Sequence, residues 1–290
     1  MTTRSEAPDL AGASNQEFIS GLLRTQLDSG ELDVPVLPEI AARVVALASS
    51  DKADTARLTK LIYADQALAS NVMRVAQTAV YQPTRPITAL PQAITWLGIS
   101  AVADIAFTVA VQGKLLNVPG HKAQLLAMWR EAVAAGLWAR EIAGMSGRPT
   151  DAAYLQGLLH EIGKPVVVHA VVEIVRRSGV PLTPDEFAAV VARFQTEAGE
   201  HVAAAWKLPP AIAAVVQHWQ NFRAAREHVT DAAIVGLAHR FAHYALNDDS
   251  DLARESIGTD ERLGEIGLEP VDLVNLFNRT ERVLAQVRTY

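Results

Sequence analysis

The chain has 290 residues, half of them hydrophobic, and a formal net charge of −6. This length allows one or two domains with a large core, and the negative charge argues against nucleic acid and anionic membranes as partners. The sequence contains no cysteine, which excludes disulfide bonds, thiolate metal sites and cysteine nucleophiles. It also shows no signal-peptide core at the N-terminus and no apolar run long enough to span a bilayer. We therefore expect a soluble, cytoplasmic protein with no membrane partner.

Signals for short helices dominate the first half of the chain. Residues 1–13 are small and polar, and they predict a flexible leader. Ser14 and Glu17 have the spacing of a capping box, which predicts that a helix begins there. Asp65 precedes another apolar helical stripe as an N-cap residue. We predict an N-terminal helical lobe over residues 14–117.

A second helical region follows a Val-Pro-Gly linker at residues 118–120. Thr183 and Glu186 form a second capping-box pattern, before a long apolar stripe. The valine-rich segment at residues 165–177 has the propensity of a strand, but its length and its helical surroundings favour a helix. We predict a second helical lobe over residues 118–246, and hence an all-α protein of two packed helical lobes.

Residues 247–290 predict a C-terminal helical extension. Its apolar residues recur at roughly helical spacing, which predicts one apolar face. This face could pack back on the domain, or it could bind a partner, including a second copy of the chain. The apolar residues are Leu273, Leu276, Phe277, Val283, Leu284 and Val287.

The segment around which the chain is organised reads YLQGLLHEIGKPVVVH, at residues 154–169. An apolar helix there presents His160 and Glu161 at its end, and we predict that Gly163 ends this helix. An imidazole beside a carboxylate suits a divalent metal, and the nearby Lys164 suits a phosphate. The alternative is that His160 and Glu161 only cap a core helix.

The same segment resembles the His-Asp-Ile-Gly-Lys signature of HD-superfamily phosphohydrolases, with Glu161 in place of the aspartate. Upstream, VPVLPEIAARVVAL, YADQALASNVMRVAQTAVY and ITALPQAITWLGISAV resemble the N-terminal part of the HDOD domain, a bacterial relative of that superfamily. The family usually has Asp-Pro-Ala-Leu where this chain has residues 65–68 (DQAL), and Asn-Ser-Ala where it has residues 77–79 (QTA). The resemblance covers about residues 32–223 and implies that the second lobe is HD-like.

This resemblance also implies where a metal site would lie. Hydrolases of the superfamily hold their metal with a histidine, an adjacent His-Asp pair and a later aspartate. The corresponding positions here are Glu131, His160, Glu161 and His239, so that only His160 keeps its residue type. Two histidines and two glutamates could still hold zinc, manganese or iron. The longer side chain of Glu161 moves its carboxylate outward, which disturbs a site built for aspartate.

Two further histidines fall where the family and its hydrolase relatives often have histidine. They are His201 and His218, which would join His160, Glu161 and Lys164 in a ligand pocket. The alternative is that each of these two histidines makes one hydrogen bond inside a helical core.

Two functions follow from the resemblance. HDOD proteins look like HD-domain regulators that have mostly lost hydrolysis, and many are joined to receiver or cyclic-dinucleotide-turnover domains. No such domain accompanies this chain, so we expect it to bind signalling proteins in trans, in cyclic-dinucleotide-linked signalling, motility, biofilm formation or stress regulation. The alternative is a metal-dependent phosphohydrolase that acts on a nucleotide or cyclic dinucleotide. We expect the non-enzymatic regulator, with no catalytic residue and no cofactor; a bound divalent metal is the alternative.

Overall fold

The computed structural model describes residues 14–48, 55–78, 87–116, 118–247 and 250–290. The predicted leader, residues 1–13, lies outside these ranges. Within them the secondary structure is helical without a β-strand, which confirms the all-α prediction. The α-helices are α1 (Asn15–Ser29), α2 (Glu39–Ala48), α3 (Thr55–Ala64), α4 (Gln66–Ala76), α5 (Leu90–Leu97), α6 (Ile99–Leu115), α7 (Lys122–Met145), α8 (Thr150–Leu159), α9 (Gly163–Ser178), α10 (Pro184–Ala205), α11 (Pro210–His218), α12 (Val229–Asn247), α13 (Asp251–Gly258), α14 (Arg262–Ile266), α15 (Pro270–Phe277) and α16 (Thr280–Val287), with a 3-10 helix at Phe222–His228.

Local capping residues account for several helix starts. Ser14 and Glu17 form the predicted capping box at the start of α1, and Thr183 with Glu186 forms the second one at α10. The carboxylate of Asp65 accepts a hydrogen bond from the backbone N–H at the start of α4. These side chains satisfy backbone donors that have no partner inside the helix. The helix starts named from these caps are therefore confirmed.

The core of the site region is the packing of α7 against α8 and α12. Gly157 in α8 lies against the backbone of α7, where an added Cβ would stand 2.6 Å from the carbonyl oxygen of Ala135. Only a glycine permits this approach, because real Cβ atoms do not come so close to backbone oxygen. The close contact fixes the C-terminal end of α8, from which His160 projects.

The turn after α8 differs from the sequence prediction. Gly163 does not end α8: that helix ends at Leu159, and Gly163 is the first residue of α9. The intervening backbone stays near helical dihedral angles, so no left-handed glycine is needed. Gly163 instead allows α9 to approach α10, since a Cβ there would lie 1.9 Å from the carbonyl oxygen of Gln195. The valine-rich segment that follows is helical, as predicted.

The first and last described helices, α1 and α16, both pack onto helices around the site. Helix α1 contacts α9 and α10, and Arg24 forms an ion pair with Glu197 of α10 at 2.6 Å. Helix α16 contacts α7, and the guanidinium of Arg74 in α4 donates to the carbonyl oxygen of Thr289 at 2.8 Å. The buried hydrophobic residues form one cluster that runs from α1 to α16. The division into lobes near residues 118–121 stays a prediction.

The C-terminal extension packs back on the domain. Leu276, Val283 and Val287 are buried, and Leu273 and Phe277 pack against the core with part of their surface exposed. Of the two alternatives for this apolar face, the intramolecular one describes the structure. A homodimer through these helices stays a prediction.

Among the described residues, no single helix is long and apolar enough to span a membrane. Helices α5 and α6 have the necessary length and apolar composition only when they are taken together, and the chain bends by 118° between them.

Candidate functional site

Three of the four positions that the resemblance identifies as a metal site converge in the structure. His160 follows the last residue of α8, Glu161 lies in the turn that leads to α9, and His239 lies on α12. One nitrogen from each histidine and one carboxylate oxygen of Glu161 all lie within 4.8 Å of one another. We call these three residues the His160 cluster. Because the cluster joins the end of α8 to the middle of α12, it depends on the close packing of α7, α8 and α12.

Hydrogen bonds fix the tautomers of the two histidines. Nδ1 of His160 lies 2.6 Å from the carbonyl oxygen of Gly157, which can only accept, so Nδ1 carries a proton. In a neutral ring, Nε2 of His160 is then an acceptor. It lies 3.0 Å from Nδ1 of His239, which therefore donates to it. The hydrogen bond between the two imidazoles satisfies the donor of His239 and the acceptor of His160.

Burial keeps both rings neutral. It lowers the pKa of His160 below its usual value, because the charged ring would lose its hydration. It also lowers the pKa of His239, to about 4, and the electrostatic interaction with His160 contributes to this lowering. At neutral pH the pair is uncharged, as the hydrogen-bond pattern requires.

The carboxylate of Glu161 is held by a lysine at the start of α9. Nζ of Lys164 lies 2.7 Å from Oε1 of Glu161, while Oε2 lies 3.9 Å from Nε2 of His160. Burial acts to raise the pKa of Glu161, but its electrostatic interactions with His160 and with the ammonium group of Lys164 outweigh this effect, and the pKa is lowered. Glu161 is therefore an ionised carboxylate paired with an ammonium group.

An aromatic side chain closes the cluster on the side of α11. The Trp219 ring lies 4.8 Å from the His160 ring in an edge-on arrangement and 4.5 Å from the His239 ring, between ring centroids. Gly236 of α12 makes room for this segment, since a Cβ there would lie 2.8 Å from the carbonyl oxygen of Trp219. The tryptophan limits access to the two imidazoles.

Space beside the cluster is small. A cavity of about 20 Å³ adjoins Glu161 and Lys164, and Trp129 is one of its walls. This volume holds about one water molecule. The indole N–H of Trp129 is buried without a hydrogen-bond partner among the described residues, so one bound water would have a donor to accept from. A nucleotide does not fit in this cavity without movement of its walls.

The structure does not bring the other predicted site residues into the cluster. The carboxylate of Glu131 accepts a hydrogen bond from the amide of Asn247 at 3.2 Å, although its charge is near enough to act on the pKa of His239. His201 is half-buried on α10 outside the cluster. His218 lines a separate groove. The five-residue ligand pocket expected from the sequence is thus reduced to His160, Glu161 and Lys164, with Trp219 over it.

The donor set of the cluster fits a divalent transition metal in part. The facing nitrogens of His160 and His239 are 3.0 Å apart, and both residues could bind one ion together with Glu161. Binding would require the proton on Nδ1 of His239 to move to Nε2, and it would bring a cation close to Lys164. The described residues therefore offer three ligands, with Glu161 as the third.

A second buried polar cluster escaped the sequence analysis. Asp104 of α6 is paired with Arg140 of α7, whose guanidinium lies over the ring of Tyr154 at 4.4 Å. The hydroxyl groups of Tyr154 and Thr108 are 2.7 Å apart. Burial raises the pKa of Asp104 to about 7 in spite of Arg140. The one signal in the sequence was a single aspartate inside an otherwise apolar run.

Comparison with known proteins gave one family and several similar folds. The sequence model of the HDOD domain matches residues 34–222. No match was found among proteins with curated descriptions.

Three of the solved structures of similar fold come from three different bacteria. One from Geobacter sulfurreducens is an HDOD domain protein of unknown function, with a TM-score of 0.72 and 20% identity over 92% of this chain and 99% of that one. One from Shewanella amazonensis SB2B is provisionally described as a metal-dependent phosphohydrolase, with a TM-score of 0.70 and 21% identity over 94% of this chain and 99% of that one. One from Marinobacter aquaeolei VT8 is provisionally described as a signal transduction protein, with a TM-score of 0.66 and 20% identity over 96% of this chain and 67% of that one. At these identities the likeness concerns the fold.

Proposed function

Because the chain belongs to the HDOD family, we propose that it is a regulatory signalling protein that acts by binding a protein or a small ligand, without hydrolysing it. Membership of the family supports the regulatory role. Its place in cyclic-dinucleotide-linked signalling, motility or stress regulation is part of this proposal. The signal transduction protein of similar fold from Marinobacter aquaeolei VT8 agrees with it.

The observation that carries the proposal is the mutual hydrogen bonding of the His160 cluster. His160 bonds to Gly157 and His239, and Glu161 is paired with Lys164. Metal-assisted hydrolysis needs ligands that are free to hold the metal and an open position for the attacking water. Here the ligand atoms already have protein partners. An error of about 1 Å in such a site costs on the order of a hundredfold in rate.

A metal-dependent phosphohydrolase is the second candidate, and one observation favours it. His160, Glu161 and His239 converge closely enough to hold one ion. A divalent metal there would supply a Lewis acid and lower the pKa of a bound water. Lys164 could then contact a substrate phosphate only by leaving Glu161. The Shewanella amazonensis SB2B structure of similar fold, which is described as a metal-dependent phosphohydrolase, agrees with this candidate.

Turnover measurements separate the two candidates. The full chain is assayed with manganese, iron or zinc against nucleotides, cyclic dinucleotides and generic phosphodiesters. We expect no turnover above that of the metal alone. Metal-dependent turnover that disappears in both His160→Ala and Glu161→Ala would establish the hydrolase instead. Arg176→Gln, which removes an exposed cation on α9, is the matched control and should leave any activity unchanged.

A further inference from the structure

A groove of about 840 Å³ lies between the C-terminal part of α10, helix α11 and the 3-10 helix Phe222–His228. The three residues of the His160 cluster do not line it, so it is a separate site. Its volume falls in the range of pockets that hold small organic ligands. Six alanines line the groove, and we call them the alanine floor: Ala203, Ala204, Ala213, Ala214, Ala224 and Ala225.

Two cationic residues of this groove have unusual backbone conformations. Lys207 and Arg226 both line the groove, and among the described residues they are the two non-glycine residues with positive φ, at 51° and 54°. Lys207 follows the end of α10, where the N–H of Leu208 donates to the carbonyl of Ala203 at 2.9 Å. In helix C-termini of this type, the residue with positive φ is most often glycine.

Arg226 is in a still rarer conformation. Its ψ of −113° combined with positive φ lies outside both helical regions, in backbone space that glycine adopts most readily. Such strain persists where the surrounding structure or the function requires a particular side chain. The chain has a long cation at both positions, and both cations border one groove.

The charges of these two cations are available to a ligand. Lys207 and Arg226 are exposed, and in the part of the chain that the structure describes neither forms an ion pair. Arg223, which is close in sequence, pairs with Glu261 at 2.7 Å. The groove therefore presents two cations that no carboxylate neutralises at ion-pair distance.

The carboxylates of the groove restrict the kind of anion. Glu200 and Glu227 also line it, and Glu227 lies 3.8 Å from Nε2 of His228. These carboxylates would repel a ligand that is negative throughout, and they would accept hydrogen bonds from a ligand that also carries N–H donors. The lining thus combines cations, a smooth apolar floor and acceptors.

We propose that this groove binds a nucleotide whose base carries an amino group. The phosphate contacts Lys207 and Arg226, the base lies on the alanine floor, and the amino group of the base donates to a carboxylate of the groove. A nucleotide has these three chemical features together: an anion, a flat ring and N–H donors. The proposal goes beyond the regulatory function above and does not depend on whether the His160 cluster is catalytic.

Calorimetric titration of the full chain tests the proposal. The probes are adenosine 5′-monophosphate, adenosine and inorganic phosphate. We expect the nucleotide to bind more tightly than either fragment, because only the nucleotide uses both the cations and the floor. Lys207→Gly and Arg226→Gly should each weaken nucleotide binding by about tenfold or more, as loss of one charge-assisted contact does. Lys122→Gln, which removes an exposed cation at the start of α7, should bind like the wild type.

Thermal unfolding separates lost binding from lost folding. Glycine relieves the positive-φ strain at both positions, so the Tm of Lys207→Gly and of Arg226→Gly should equal or exceed that of the wild type in the absence of ligand. A fall in Tm for both variants would overturn the strain argument.

Three binding outcomes would overturn the proposal. They are no nucleotide binding by the folded wild type, binding that both glycine variants retain in full, and binding of phosphate as tight as that of the nucleotide. Displacement of the nucleotide by an acidic peptide that binds more tightly would show that the groove takes a protein partner instead.

Discussion

At the scale of single residues, Gly163 joins the site to the rest of the fold. It lies at the start of α9, directly after the turn that holds the His160 cluster, and it touches the backbone of α10. We expect Gly163→Ala to lower the free energy of unfolding by about 3 kcal/mol or more, because the Cβ meets backbone atoms that cannot move aside easily. Urea unfolding followed by circular dichroism measures the change.

Gly113 supplies the matched control for this prediction. It lies in α6, and no described atom beyond its chain neighbours and its own helix backbone lies within 4 Å of an added Cβ. Gly113→Ala should raise the free energy of unfolding by up to about 1 kcal/mol, since alanine favours a helix over glycine. Equal stability of the two variants would contradict the packing described for Gly163.

Asp104 predicts a pH dependence of stability. The pKa of this buried carboxyl is raised to about 7 in the folded protein, from 3.8. A raised folded-state pKa gives stability that is fully present below the unfolded value and is lost as the pH rises through the folded value. Between about pH 4 and pH 7 the wild type should therefore lose up to about 1.4 kcal/mol per pH unit from this group.

Comparison with Asp104→Asn isolates that contribution. The asparagine cannot ionise, so its free energy of unfolding should rise relative to that of the wild type as the pH increases across the same range. Any loss of contact with Arg140 in this variant shifts the whole stability curve without producing the slope. Parallel stability curves for the two proteins would show that Asp104 is ionised throughout.

The roles of some residues could be predicted from the sequence, and those of others could not. The capping residues Ser14 and Thr183 have side-chain partners three positions away, so their roles depend on local sequence alone. The role of Gly163 was misread as a helix end, because its neighbour in α10 lies about thirty residues further along the chain. The pairing of Asp104 with Arg140 joins residues in different helices, so no local sequence pattern predicts it.

At the scale of elements, α15 tests whether the C-terminal extension belongs to the core. Leu276 is fully buried, whereas Val274 in the same helix is 51% exposed. Leu276→Ala should lower the free energy of unfolding by about 2–5 kcal/mol through loss of buried surface and a residual cavity. Val274→Ala should change it by less than about 0.5 kcal/mol. Comparable effects of the two substitutions would mean that the extension does not pack as described.

Helix identities were easier to predict than helix contacts. The segment at residues 165–177 was assigned to a helix against its valine-rich propensity, and α9 confirms the assignment. The periodicity of residues 273–287 identified an apolar face but left its partner open. The partner is α7 and the adjoining core, which the amphipathic pattern of one helix cannot specify.

At the scale of the whole molecule, the site is assembled from distant parts of the chain. Sequence similarity identified His160, Glu161 and His239 as neighbours, and the structure brings them together. The same spacing placed Glu131 among them, but the structure pairs it with Asn247. Of the groove beside Lys207 and Arg226, the sequence analysis named only His218 as a ligand-binding residue, because positive φ values at cationic residues are a property of the folded backbone.

We propose that the His160 cluster is a polar corner of the core whose hydrogen-bonding groups satisfy one another, and that the protein acts by binding. The most direct measurement is the metal content of protein purified without chelators, for the wild type and for His160→Ala. We expect transition metal well below one ion per chain in the wild type and no difference between the two proteins. One tightly held ion per wild-type chain that is lost in His160→Ala would contradict it.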